Sequence, residues 1–130
     1  MNMKDERQFV GYSKYRSRLV DGHVHTELCP HGSGDRTALM IEKAIELRIE
    51  KVCLTEHAPL PKAFAVEYGG DQKAYDTASL KLNQVDTYLE LGRQLQRAYG
   101  THIDISLGFE VDYIPGFEAD IQEFLDRYGP

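Results

Sequence analysis

The chain has 130 residues, 42% of them hydrophobic and 28% charged, enough for one globular domain with its own core and too apolar for a disordered chain. Its net charge is −6, with a sequence pI of about 5.3, which argues against a polyanion-binding surface and so against nucleic acid as a partner. No basic start followed by an apolar segment is present, and no run of about eighteen apolar residues, so the sequence predicts neither secretion nor a membrane span. The two cysteines, Cys29 and Cys53, read as reduced thiols of a cytoplasmic protein.

Residues 1–18 predict a polar, basic N-terminal arm (Lys4, Arg7, Lys14, Arg16 and Arg18) with scattered aromatics Phe9, Tyr12 and Tyr15, and residues 19–130 a single domain. A strand is expected over residues 19–25. Its alternation puts His23 and His25 on one face, with Asp21 behind them as a carboxylate able to accept a ring N–H. Two imidazoles on one face are half of a metal site, although a lone His-x-His is equally compatible with a chance cluster. The turn Cys29-Pro30-His31-Gly32 could fold His31 back over the strand end, so that three of the five histidines fall within nine residues.

Gly32 to Asp35 predicts a loop, with Ser33 or Asp35 as a helix N-cap. Met40, Ile41, Ala44, Ile45 and Leu47 then recur at the helical period, to about Arg48. A short β-type run at 51–55 leads into Glu56 and His57, and Pro59 and Pro61 stop it. Residues 62–77 are expected to form a long loop. Leu82, Val85, Tyr88, Leu89, Leu95 and Tyr99 predict a helix of about twenty residues, capped by Thr77 or Ser79 and followed by Gly100 in the C′ position. Over 102–112 the odd positions are apolar and the even positions polar, an amphipathic strand. A final helix is expected from about Phe117.

Strands alternating with helices imply an α/β fold with a mainly parallel sheet. Such strands are normally apolar on both faces, whereas two of these carry polar faces, as strands surrounding a metal-holding barrel mouth would. His23, His25, His57 and Glu110 all fall at or just past strand ends. Other polar residues have plainer readings: His102 is structural, Glu56 points away from His57 to the outer layer or a helix cap, and Cys29 is a turn thiol. Asp112 shares the face of Glu110 and would support it rather than bind an ion. Gly32-Ser33-Gly34 is a weak phosphate-cradle signal.

Together, Asp-Gly-His-Val-His-Thr from Asp21, Cys-Pro-His-Gly from Cys29, Thr-Glu-His-Ala-Pro-Leu-Pro from Thr55 and Gly-Phe-Glu-Val-Asp-Tyr-Ile-Pro-Gly from Gly108 resemble the polymerase-and-histidinol-phosphatase (PHP) superfamily. The last three words are similar to its branch of monofunctional histidinol-phosphate phosphatases. The resemblance implies a distorted, TIM-like (β/α)7 barrel of parallel strands with outer helices, and up to three divalent metal ions (zinc, manganese or iron). It also implies hydrolysis of a small phosphate ester, L-histidinol phosphate, in histidine biosynthesis. Carried over, His23 and His25 resemble ligands of a first metal and His31 and His57 those of a second. Glu110 resembles the bridging carboxylate; the supporting places of Asp21 and Asp112 rest on the strand faces alone, and no substrate-contacting residue is assigned.

A complete barrel needs about 250 residues, so the resemblance covers an N-terminal half without the later histidines, the Asp-x-His and the phosphate-holding arginines. The expectation is a fragment, or a short form that self-associates, with little activity alone. The alternatives are another PHP metallohydrolase, such as a nuclease or phosphoesterase, and a non-catalytic metal-binding or oligomerising fragment.

Overall fold

A computed structural model of the protein describes residues 18–64 and 72–129. Strand β1 (Val20–Val24) is followed by helix α1 (Thr37–Glu46), β2 (Lys51–His57), α2 (Gln72–Ala78), a 3-10 turn (Leu82–Gln84), α3 (Val85–Tyr99), β3 (Asp104–Glu110) and α4 (Glu118–Tyr128). The strands form one parallel sheet in the order β1-β2-β3, so the expected parallel α/β architecture is present. The N-terminal arm lies outside the described residues apart from Arg18, which pairs with Glu50 and Asp104 at the foot of the sheet.

The two faces of the sheet differ because β2 and β3 alternate. Val52 and Leu54 of β2 and Ile105 of β3 are buried together with Ile41 and Ala44 of α1 and Tyr88 and Leu95 of α3, so the helices cover that face and the core lies between the layers. Lys51, Cys53, Thr55 and His57 point to the other face and are only half-buried. β2 and β3 pair without interruption from Lys51–Asp104 to His57–Glu110, which brings those last two residues level at the strand tops.

The register of β1 against β2 is not regular. Asp21 lies opposite Val52 and Val24 opposite Leu54, three residues of β1 against two of β2, with the irregularity between Asp21 and Val24. The extra residue resets the alternation, as a β-bulge does. Asp21 therefore leaves the face it would share with His23 and His25 in a regular strand.

Several local expectations are corrected. Residues 62–77 are not one long loop: residues 62–64 are helical and α2 occupies Gln72–Ala78, while Gly69 and Gly70 lie outside the described residues. α2 buries none of its side chains, so it has no apolar period to betray it. Neither Ser33 nor Asp35 caps α1. Ser33 donates to Asp35 instead, and the Glu27 carboxylate accepts the Thr37 N–H at 2.6 Å while Thr37 Oγ1 accepts the Glu27 N–H at 3.1 Å.

Thr77 and Ser79 do not cap α3 either, whose regular part spans 15 residues; the Gln84 side chain folds back to accept the Lys81 N–H. Ser79 Oγ accepts from Leu60 N–H, and Leu82 is 56% exposed rather than part of the buried stripe. Gly100 has φ −62°, right-handed, and does not form the left-handed C′ expected of it. The glycine that matters to α3 is Gly92, where a Cβ would lie 2.1 Å from Leu107 Cδ2, so its absence lets the helix sit close on β3.

Candidate metal centre

The five residues expected to converge do so at the tops of the strands. Glu110 Oε2 lies 2.9 Å from both His23 Nε2 and His25 Nε2 and 3.3 Å from His57 Nδ1, while the two Nε2 atoms of His23 and His25 are 3.0 Å apart. On its other side His57 Nε2 is 3.1 Å from His31 Nε2, so the turn after β1 does carry His31 back over the strand end. The imidazoles of His25 and His57 adjoin, with ring centroids 4.4 Å apart. The result is a continuous row from His23 through Glu110 and His57 to His31. His102 is exposed, at the opposite end of β3, and its backbone N–H donates to Tyr99.

Hydrogen bonds to the far side of the rings determine which nitrogens are free. His25 Nδ1 lies 3.0 Å from Glu56 Oε1, and His31 Nδ1 lies 2.7 Å from the Thr77 carbonyl. A carbonyl only accepts, and the Glu56 carboxylate accepts from every group around it, so both Nδ1 atoms are protonated, and in the neutral rings both Nε2 atoms carry lone pairs. The lone pair of His25 faces Glu110 Oε2, another acceptor. If His57 donates Nδ1–H to Glu110, its Nε2 lone pair faces that of His31. Acceptors converging at about 3 Å repel unless a cation or proton lies between them, and imidazole with carboxylate is the donor set of zinc, manganese and iron. The residues present therefore fit a metal.

The hydrogen bond from His23 holds the Glu110 carboxyl below its ordinary range, against the effect of burial, and the charges of His57, His23 and His25 act in the same direction. Among the described residues, two groups have ligand atoms close enough to share an ion: His23 with His25 and Glu110, and His25 with Cys29 and His57. Cys29 is buried, and burial pushes its thiol up, with the neighbouring Glu56 charge adding to the effect. Thr55, two residues before His57 on the same face, has a buried hydroxyl without a partner among the described residues.

Two supporting residues stand elsewhere than expected. Among the described residues the Asp21 carboxylate accepts the His23 backbone N–H, at 3.4 Å, and no ring N–H, because the bulge turns it away from the rings. Asp112 is exposed beyond the end of β3 and lines a separate cavity of about 310 Å³ with Leu60, Phe124 and Tyr128.

The residue that does support the rings, Glu56, was expected in the outer layer or at a helix cap. It points away from His57, on the face of Val52 and Leu54, but it is fully buried and reaches His25 and Thr26 just past β1. Its one sequence signal is a carboxylate at the third position of a core-facing alternation, where an apolar residue belongs. The Thr77 carbonyl, being backbone, leaves no such signal.

The chain is similar to known proteins over most of its length. The family model described as PHP domain matches residues 21–129. The histidinol-phosphatase of Bacillus subtilis is 38% identical over 110 residues, covering 85% of this chain and 39% of that protein. A provisionally assigned histidinol-phosphatase of Deinococcus radiodurans is 26% identical over 110 residues, covering 85% of this chain and 38% of that one. The crystal structure of a candidate histidinol phosphatase from Listeria monocytogenes superposes with a TM-score of 0.81 at 40% identity, over 85% of this chain and 41% of that one. The chain thus spans about two fifths of the length of the relatives it matches.

Proposed function

Because the chain belongs to the PHP domain family, we propose that it forms the metal-binding part of a phosphomonoester hydrolase that converts L-histidinol phosphate and water to L-histidinol and phosphate. The observation that carries this reading is the row of imidazole nitrogens and the Glu110 carboxylate, from His23 to His31, at the tops of the strands. The substrate class rests on the names of the B. subtilis and D. radiodurans relatives. We infer a cytoplasmic location from the same relatives, and among the described residues no helix is long and apolar enough to cross a membrane.

In this proposal His23, His25 and Glu110 would hold one divalent ion, and His57 and His31 would hold a second with Glu110 as the carboxylate nearest both groups. Zinc, manganese or iron, up to three ions in the complete site, would supply Lewis acidity that lowers the pKa of a water to near neutrality and draws charge from the phosphoryl oxygens. The chain's own residues do the positioning. Glu56 and the Thr77 carbonyl orient the rings of His25 and His31, and the helix-covered face beneath β2 and β3 keeps the strand tops rigid. Asp21 and Asp112 contribute at most through the surrounding charge, since neither carboxylate bonds a ring among the described residues.

Metal analysis of the purified chain, followed by assay of phosphate release from histidinol phosphate by a longer polypeptide that includes these residues, tests the reading. Metal uptake with phosphatase activity supports it, and activity confined to nucleic-acid substrates overturns it in favour of a nuclease. The coverage of the relatives favours a second reading for these 130 residues in isolation, a metal-binding unit without catalysis.

A further inference from the structure

Glu56 stands apart from the other described carboxylates in being completely buried while bonding two neighbours of the metal-binding row at once. Oε1 accepts from His25 Nδ1 at 3.0 Å and from the His57 backbone N–H at 3.3 Å. Oε2 accepts from Thr26 N at 2.9 Å and Thr26 Oγ1 at 2.6 Å. His25 belongs to the first ligand pair and His57 to the second; His25 lies just past the end of β1 and His57 at the end of β2.

We propose that Glu56 is the positioning residue of the centre: it fixes His25 as the Nδ1–H tautomer, turns its Nε2 lone pair to the ion, and ties His25 to the backbone of His57. The two ion positions are thereby coupled through one buried side chain. This rests on the reading of the cluster as a metal centre.

The physical argument lies in how poorly glutamine replaces this residue. An amide offers one accepting oxygen and one donating nitrogen. With its oxygen toward His25, its NH2 would oppose the Thr26 N–H, donor against donor. With its oxygen toward Thr26, both Thr26 donors stay satisfied and only the longer His57 contact is lost, but the NH2 now faces His25 Nδ1. That nitrogen must then accept, and the ring proton moves to Nε2, the atom turned toward Glu110. Each arrangement gives up one backbone N–H, but the second gives up the 3.3 Å contact and keeps the 2.9 Å one, so E56Q should switch the tautomer and block the ligand atom. A carboxylate that merely braced the turn at Thr26 would have no such effect on the ring.

The test uses the whole chain, free of metal, with ring nitrogen NMR of His25, followed by zinc and manganese titration against a competing chelator. Wild type should show Nδ1–H. Glu56→Gln should shift His25 to Nε2–H and weaken the tightest metal binding about 10–100-fold, the usual effect of losing such a partner, with loss at both positions. Thr26→Val removes the hydroxyl bond to Oε2 and should leave the tautomer and the affinities as they are, which separates positioning from bracing.

An Nε2–H tautomer in wild type overturns the proposal whether or not any variant folds. So does a folded Glu56→Gln chain that keeps Nδ1–H and full metal affinity. A wild-type chain that shows Nδ1–H, switches in Glu56→Gln and takes up neither metal leaves the tautomer assignment standing and overturns the metal reading alone.

Discussion

Glu110 Oε2 faces three imidazoles at 2.9, 2.9 and 3.3 Å, so its charge is shared along the row rather than spent on one partner. Glu110→Gln preserves the shape and removes that charge. The expected result is a fall in metal stoichiometry, measured by elemental analysis, and an unchanged metal count would mean that Glu110 bridges nothing. His23→Ala or His25→Ala should lower bound metal more than His102→Ala does, because His102 is exposed at the other end of β3. Equal loss from all three would remove the site as drawn. These residues were legible in the sequence because imidazoles and a carboxylate at strand ends stand out against apolar alternation. Asp21 misled because period-2 counting cannot see the bulge, and Glu56 because its direction was readable but its reach to His25 and Thr26 past β1 was not.

Among the elements, Tyr88 is the pin between α3 and strands β2 and β3. Fully buried, its hydroxyl bonds the Leu54 carbonyl at 2.9 Å and the Gly108 carbonyl at 2.7 Å. Burial raises its pKa from 10.0 to about 12. The unfolded chain thus loses this proton first as pH rises, so stability complete below pH 10 declines between about 10 and about 12. By linkage the decline amounts to about 2–3 kcal/mol. Tyr88→Phe should cost about 1–2 kcal/mol at neutral pH and show a shallower decline in that window by urea denaturation; an equally steep decline would exonerate Tyr88.

α1 ends in a Schellman motif, with Ile49 N–H bonding the Ala44 carbonyl and Arg48 N–H the Ile45 carbonyl, but its left-handed residue is Arg48 at φ 60° rather than a glycine. Arg48→Gly should therefore raise stability by about 0.5–1 kcal/mol, and a lowered denaturation midpoint would contradict the account. Neither this end nor the Glu27–Thr37 start of α1 follows from the residue types, since one lacks the usual glycine and the other joins residues ten apart. The strands and α3 were legible because their periods record burial on a single face.

At the scale of the molecule, the sheet order leaves β1 and β3 as edges, each with one side of its backbone unpaired within the described sheet. Such edges invite pairing with another chain. Apolar side chains lie near the first of them, Leu19 at 50% and Val20 at 49% exposure, and the face carrying the histidines has no second layer among the described residues. The ligand row likewise draws on one side only. Arginine could clamp phosphoryl oxygens, but Arg18 pairs with Glu50 and Asp104 and Arg97 with Glu90, and no described arginine bonds the histidine row. Ester hydrolysis needs such a clamp, an oriented water and an acid for the leaving oxygen, besides the ions. A polypeptide limited to these 130 residues is therefore expected to bind metal, to self-associate as its concentration rises, and to release little phosphate from histidinol phosphate. A polypeptide of the relatives' length should be active. Sedimentation and a coupled phosphate assay decide the matter: a monodisperse 130-residue monomer turning over histidinol phosphate at enzymatic rates, with metal supplied and contaminating phosphatases excluded, would defeat both the association and the requirement for further residues.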